Sequence, residues 1–259
     1  MRLNAIVHEP QGAETKPPLV IAHGLFGSAR NWGAVAKRLS EGRRVIAVDM
    51  RNHGDSPWSD DHSYAGMAED LEDALETHGG GEADLLGHSM GGKAAMTLAV
   101  TRAPAALRRL VVADIAPVAY RHSHLAYVEA MLAVDLGSLS RRSEVEPLIA
   151  DAVPDRSLRA FLLHSLASGP DGLRWKLNLV ALRDWMGSMV GFEPLEGSWP
   201  GETLFLRGGA SDYADDAGLA AAKPLFPAME VATLPGAGHW LHAEQPAEFS
   251  AAAAAFLDR

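Results

Sequence analysis

Short, uninterrupted apolar runs constrain this chain more than any other feature. They lie at residues 18–23 (PLVIAH), 44–49 (RVIAVD), 83–87 (ADLLG), 110–115 (LVVADI), 203–207 (TLFLR) and 231–234 (VATL). Runs this short, with no polar alternation, suit strands buried on both faces of a parallel sheet. Between them lie helical windows at 31–39, 64–75, 91–102 and 246–257, the last with proline in its first turn. Alternating strands and helices predict an α/β architecture with a mostly parallel central sheet flanked by helices. The rhythm breaks after Asp114. Residues 117–197 hold no convincing strand and read as helices at 125–136, 157–168 and 173–186. No Gly/Ser-rich or Pro-rich linker borders this stretch. It is therefore expected to be a helical cap, or lid, set into a core made of residues 1–116 and 198–259. Ligands usually bind at the sheet edge such a cap would cover.

Composition narrows the function classes. The chain has 259 residues, 47% hydrophobic and 22% charged, which suits an ordinary globular protein with a sizeable core. A net charge of -10 argues against nucleic acid and against anionic lipid surfaces. Cysteine is absent, so disulfides, thiolate nucleophiles and cysteine-ligated metals are excluded. No run approaches the ~18 apolar residues of a membrane span. The N-terminus lacks an apolar stretch of signal-peptide length, so a cytoplasmic protein is expected.

The string Gly87-His88-Ser89-Met90-Gly91-Gly92 follows the run ADLLG and opens an alanine-rich helix. A bare G-x-S-x-G arises by chance with a probability of roughly 0.15 in a chain like this, so the strand–turn–helix context is what makes it specific. There Ser89 is expected to be a nucleophile on a sharp turn. Its base is expected to be His239, in the loop Pro235-Gly236-Ala237-Gly238-His239-Trp240 before the last helix. Two carboxylates compete to orient that histidine. Asp114 ends LVVADI, and Asp212 lies in the Gly208–Tyr213 loop (GGASDY) after TLFLR. Sequence order permits either. The oxyanion donors are expected to be the N–H of Met90 and an N–H from His23-Gly24-Leu25-Phe26-Gly27, with Phe26 ahead of Leu25. His23 and His88 are read as support for these loops. Trp175 and Asn178 in the cap, and Trp240 beside His239, are candidates for the substrate pocket, core packing being the competing reading for the cap aromatic. Lys93 is expected to be solvated or ion-paired. The turn at 51–56 is expected to brace the nucleophile loop. His122 and His124 form an H-x-H pair with no third metal ligand in reach.

The chain resembles the α/β-hydrolase superfamily over nearly its whole length. More narrowly it resembles the YbfF-type esterases and their mitochondrial relatives, the abhydrolase-domain-11 group. The shared strings are HGLFGS (23–28), DMRNHGDSP (49–57), GHSMGGK (87–93), VVADIAPVAY (111–120), RWKLNL (174–179) and AGHWLHAE (237–244). The resemblance implies a carboxylesterase for short to medium acyl esters, extending to acyl thioesters, with no metal or organic cofactor. It also implies Asp114 as the usual acid, with Ser211 contributing a hydrogen bond near the histidine. Asp212 is a departure, because that position is often not acidic in this family. The same three groups also serve acyl transfer to alcohols, C–C bond hydrolysis and perhydrolysis. A non-catalytic ligand-binding module on the same scaffold need not keep all three.

Overall fold

The computed structural model describes residues 1–170 and 172–259. Its core is a seven-stranded sheet, built from β1 (Ala5–His8), β2 (Leu19–Ala22), β3 (Val45–Val48), β4 (Ala83–His88), β5 (Leu107–Ala113), β8 (Thr203–Gly208) and β9 (Met229–Leu234). The spatial order is β1-β3-β2-β4-β5-β8-β9. Every neighbouring pair is parallel except β1–β3. β1 was not legible as a strand, because AIVH is a half-exposed edge segment without a continuous apolar run.

β2 and β3 are apolar throughout, and β4 and β5 carry apolar runs, because both faces of the sheet are covered. Val20, Ala22, Ile46, Val48, Leu85 and Val112 pack into one core. Their chain neighbours Leu19, Ile21, Val45, Ala47, Leu86 and Val111 pack into the other. This is the period-2 side-chain alternation of a strand, with neither face left to water. Helices α2 (Tyr64–His78) and α3 (Met90–Thr101) cover the first face through Met67, Leu71, Ala95 and Leu98. Helices α1 (Gly33–Leu39) and α10 (Pro246–Leu257) cover the second through Ala36, Leu39, Phe249 and Phe256. Short helices α8 (Asp216–Ala222) and α9 (Leu241–Glu244) complete the C-terminal part.

Between β5 and β8 the chain forms α4 (Leu125–Leu132), α5 (Arg142–Val145), α6 (Arg156–Leu163), β6 (Leu166–Gly169), β7 (Gly172–Trp175) and α7 (Leu179–Val190). The expectation of a strand-free stretch is corrected here, since β6 and β7 pair as an antiparallel hairpin. Each misread window is a helix joined to a strand: α6 runs into β6, and β7 leads into α7. In β7 exposed Gly172 and Arg174 alternate with buried Leu173 and Trp175, a strand period too short to stand out beside a helix. Among the described residues, no helix is long and apolar enough to cross a membrane.

Candidate active site

The loops at the carboxyl ends of β2, β4, β5, β8 and β9 converge on one edge of the sheet, the usual place for ligands in an open α/β sheet. Ser89 sits between β4 and α3 with φ 53° and ψ −118°, a strained backbone for a residue with a Cβ. The flanking glycines make that turn feasible. A Cβ on Gly91 would lie 2.5 Å from the Ala22 carbonyl oxygen, and one on Gly87 would collide with the Gly91 backbone. The turn leaves the serine partly exposed at the start of α3, whose N-terminal amides carry partial positive charge.

His239 bridges Ser89 and a buried carboxylate. Its Nε2 lies 3.0 Å from Ser89 Oγ, and its Nδ1 lies 2.7 Å from Asp114 Oδ2. The carboxylate settles the tautomer: Nδ1 carries the hydrogen, and Nε2 is left to accept from the serine hydroxyl. Asp114 is fully buried, and its other oxygen accepts from Gly208 N–H at 2.8 Å. Ser211 Oγ also donates to Asp114 Oδ2. Asp212, the rival carboxylate, is exposed beside Ser211 and does not reach His239. The geometry thus brings together Ser89, His239 and Asp114, with Ser211 as an added donor.

The supporting residues act through backbone. His23 Nδ1 donates to the Gly24 carbonyl at 2.8 Å, which leaves Nε2 to accept from Met50 N–H at 3.0 Å. His88 Nε2 donates to the His239 carbonyl at 2.9 Å and so pins the His239 loop. Burial drives the His88 ring well below the usual histidine range, and the nearby rings of His242 and His239 add to this. Neutral His88 therefore acts as a strut. Two positioning features were not legible in the sequence. Tyr213 stacks on the His239 ring with centroids 3.7 Å apart and planes at 17°. His53 Nε2 accepts the Phe26 N–H at 3.2 Å. The second engages the amide expected to bind an oxyanion. Leu25, which also borders Ser89's surroundings, makes no such bond with its N–H among the described residues.

Three expectations are corrected. Trp175 is packed inside the inserted segment, with Nε1 donating to the Met131 carbonyl at 3.2 Å. Asn178 caps α7 and donates to Asn52 Oδ1 at 3.1 Å and the Ser59 carbonyl at 3.2 Å. Neither borders a cavity at Ser89, because each is consumed in holding the segment together or to the core. Lys93 is not solvated, and it is not ion-paired with any of the described residues. It is buried, with Nζ 2.7 Å from the Gly191 carbonyl and 4.7 Å from the centre of the Tyr120 ring. Trp240 does border the larger cavity at Ser89, a cleft of about 420 Å³ walled also by Trp32, Phe26, Tyr127 and Phe161. His122 and His124 belong to no group of metal-ligating side chains among the described residues. His122 Nε2 instead pairs with the Tyr213 hydroxyl at 2.7 Å.

Comparison with known proteins agrees with this architecture. Residues 19–252 match the model of the Alpha/beta hydrolase family. The sn-1-specific diacylglycerol lipase ABHD11 of Mus musculus is 40% identical over 254 residues, spanning 95% of this chain and 82% of that protein. Esterase YbfF of Escherichia coli (strain K12) is 36% identical over 247 residues and 95% of each chain. A solved structure titled marine microorganism esterase superposes with a TM-score of 0.90 at 35% identity, covering 98% of this chain and 99% of that one. The chain belongs to the alpha/beta hydrolase family, in the group that contains the YbfF-like and ABHD11-like proteins.

Proposed function

We propose that this protein is a serine esterase that hydrolyses carboxylic esters through a covalent acyl-enzyme. The observation that carries the reading is the unbroken chain Ser89 Oγ, His239 Nε2, His239 Nδ1, Asp114 Oδ2, with steps of 3.0 and 2.7 Å, at the mouth of a mostly apolar cleft. The similarity to named esterases and lipases supports it. His239 takes the hydroxyl proton as Ser89 attacks the ester carbonyl, and Asp114 stabilises the imidazolium that forms. The oxyanion is held by the N–H groups of Met90 and Leu25, since Phe26 N–H is already given to His53. His239 then protonates the departing alcohol. Water repeats the sequence on the acyl-enzyme, releasing the acid and restoring the serine. Residues 117–197 serve as the cap over this site, with residues 1–116 and 198–259 as the catalytic core.

The test is hydrolysis of p-nitrophenyl butyrate by four proteins of verified fold. Ser89→Ala should lose a factor of ~10⁵ or more in turnover, and Asp114→Asn about 10⁴. Asp212→Asn should stay within about twofold of the wild type, because it touches none of the reacting groups. A Ser89→Ala protein that keeps most of its activity would sink the reading. Added ethanol in the same assay separates hydrolysis from acyl transfer: a predominance of ethyl butyrate over butyrate identifies a transferase.

A further inference from the structure

Ser89 opens onto two cavities of unequal size. The larger, of about 420 Å³, has Leu158, Phe161 and Trp240 among its walls. The smaller, of about 40 Å³, is a recess lined by Met90, Lys93, Ile115, Tyr120 and Met189. Leu25, His124 and Tyr213 border both. His239 borders the larger cavity and not the smaller.

That asymmetry assigns the two halves of an ester. The departing alcohol oxygen must receive its proton from His239 Nε2, so the alcohol lies on the His239 side. The carbonyl oxygen points at the Met90 and Leu25 amides. The acyl substituent takes the remaining direction, away from His239. On the reading of Ser89 as nucleophile, we infer that the acyl group enters the small recess and the alcohol the large cleft, so that the substrates are esters of short acids with bulky, largely apolar alcohols.

The recess has room for roughly three water-sized groups, which suits an acetyl, propionyl or butyryl chain and no longer one. Its walls are held in place. Lys93 Nζ donates to the carbonyls of Gly191 and Val190 at 2.7 and 3.3 Å. The Tyr64 hydroxyl donates to the Met189 carbonyl at 2.7 Å. The Tyr120 hydroxyl accepts from Ala116 N–H at 2.9 Å. A longer acyl chain would have to break these bonds to gain depth.

Two ester series test the assignment in the wild-type protein. With p-nitrophenol as the constant alcohol and acids from acetyl to dodecanoyl, kcat/KM should peak between acetyl and butyryl and fall about tenfold or more by octanoyl. With acetate as the constant acid, 2-naphthyl acetate should be cleaved at least as well as phenyl acetate. Met189→Ala should move the acyl optimum toward hexanoyl or beyond, and Ile115→Ala serves the same purpose if that variant does not fold. A wild-type optimum at octanoyl or longer, abolished in Ser89→Ala, overturns the cavity assignment while leaving the nucleophile in place. Activity that survives in Ser89→Ala overturns both.

Discussion

Helix α6 borders the larger cavity at Ser89 and helix α7 the smaller, and they are held in different ways. α7 is tied to the core at both ends by polar bonds. At its start, Asn178 bonds Asn52 and Ser59, and Asn178 N–H donates to the Asn52 carbonyl at 3.0 Å. Along its length, Trp185 Nε1 donates to the Asp60 carbonyl at 2.7 Å. At its end, Lys93 and the Tyr64 hydroxyl donate to its last carbonyls. The backbone leaves carbonyls unpaired at a helix C-terminus, and these two groups supply donors to them. Among the described residues, α6 has no such ties. Its N-cap, Asp155, and its Arg159 bonds lie within the inserted segment. It meets the core loop at His239 through apolar contact, with Phe161 5.8 Å from Trp240. Directional bonds fix the position of one wall. Apolar packing alone lets the other adjust to what lies beneath it.

The comparison can be broken at its strongest point first. Lys93→Met strips the Gly191 carbonyl of its donor and loosens the end of α7. At about pH 10, where the buried amine no longer pays for its charge, the expected cost is roughly 1–3 kcal/mol in urea denaturation. A variant as stable as the wild type would show that this tie carries nothing. The pH dependence of stability sharpens the same point. Burial pulls the Lys93 ammonium down from 10.5 to about 7. Between those values the unfolded chain binds more protons than the folded one, so this group makes the fold more stable as pH rises through that window. Its slope is at most about 1.4 kcal/mol per pH unit. Lys93→Met should flatten the measured slope between pH ~7 and ~10, and an unchanged slope would remove Lys93 as its source.

Smaller effects are expected elsewhere. Asn178→Ala loses a helix cap and two bonds to the core, for about 1 kcal/mol. The thermal midpoint should drop accordingly, with the acyl-chain profile broadened. Phe161→Ala removes a half-buried ring from the adjustable wall. It should cost about 1 kcal/mol or less in stability and act chiefly on KM for bulky alcohols. If it shifts the acyl-chain optimum more than Met189→Ala does, the two walls have been assigned the wrong way round.

Much of this was legible in the sequence, for reasons that differ by residue. The runs PLVIAH and LVVADI read as doubly buried strands because both faces of the sheet are covered, which removes polar alternation. The elbow at Ser89 is legible because its geometry is local. The turn needs small residues on either side, and the helix that follows needs no distant partner to be recognised. His239 was found by its place after the last strand and before a proline-started helix. Hairpin β6–β7 was missed because four-residue strands abutting helices carry too little period. Trp175 and Asn178 were misread because nothing local distinguishes a pocket wall from a brace.

The sequence by itself determined the sheet, the order in which its strands deliver chemical groups to one edge, and the identity of a serine and a histidine among them. Each rests on a pattern within a few residues. Only the tertiary structure decided which aspartate reaches the histidine. Asp114 and Asp212 both follow strands that end at the same edge, but His239 Nδ1 lies 2.7 Å from Asp114, while Asp212 faces outward. Only it decided that Phe26 N–H is taken by His53, and that Lys93 lies under aromatic rings against the end of a helix some hundred residues away. A hydrogen bond between distant segments depends on how the chain returns on itself, and no local periodicity carries that information.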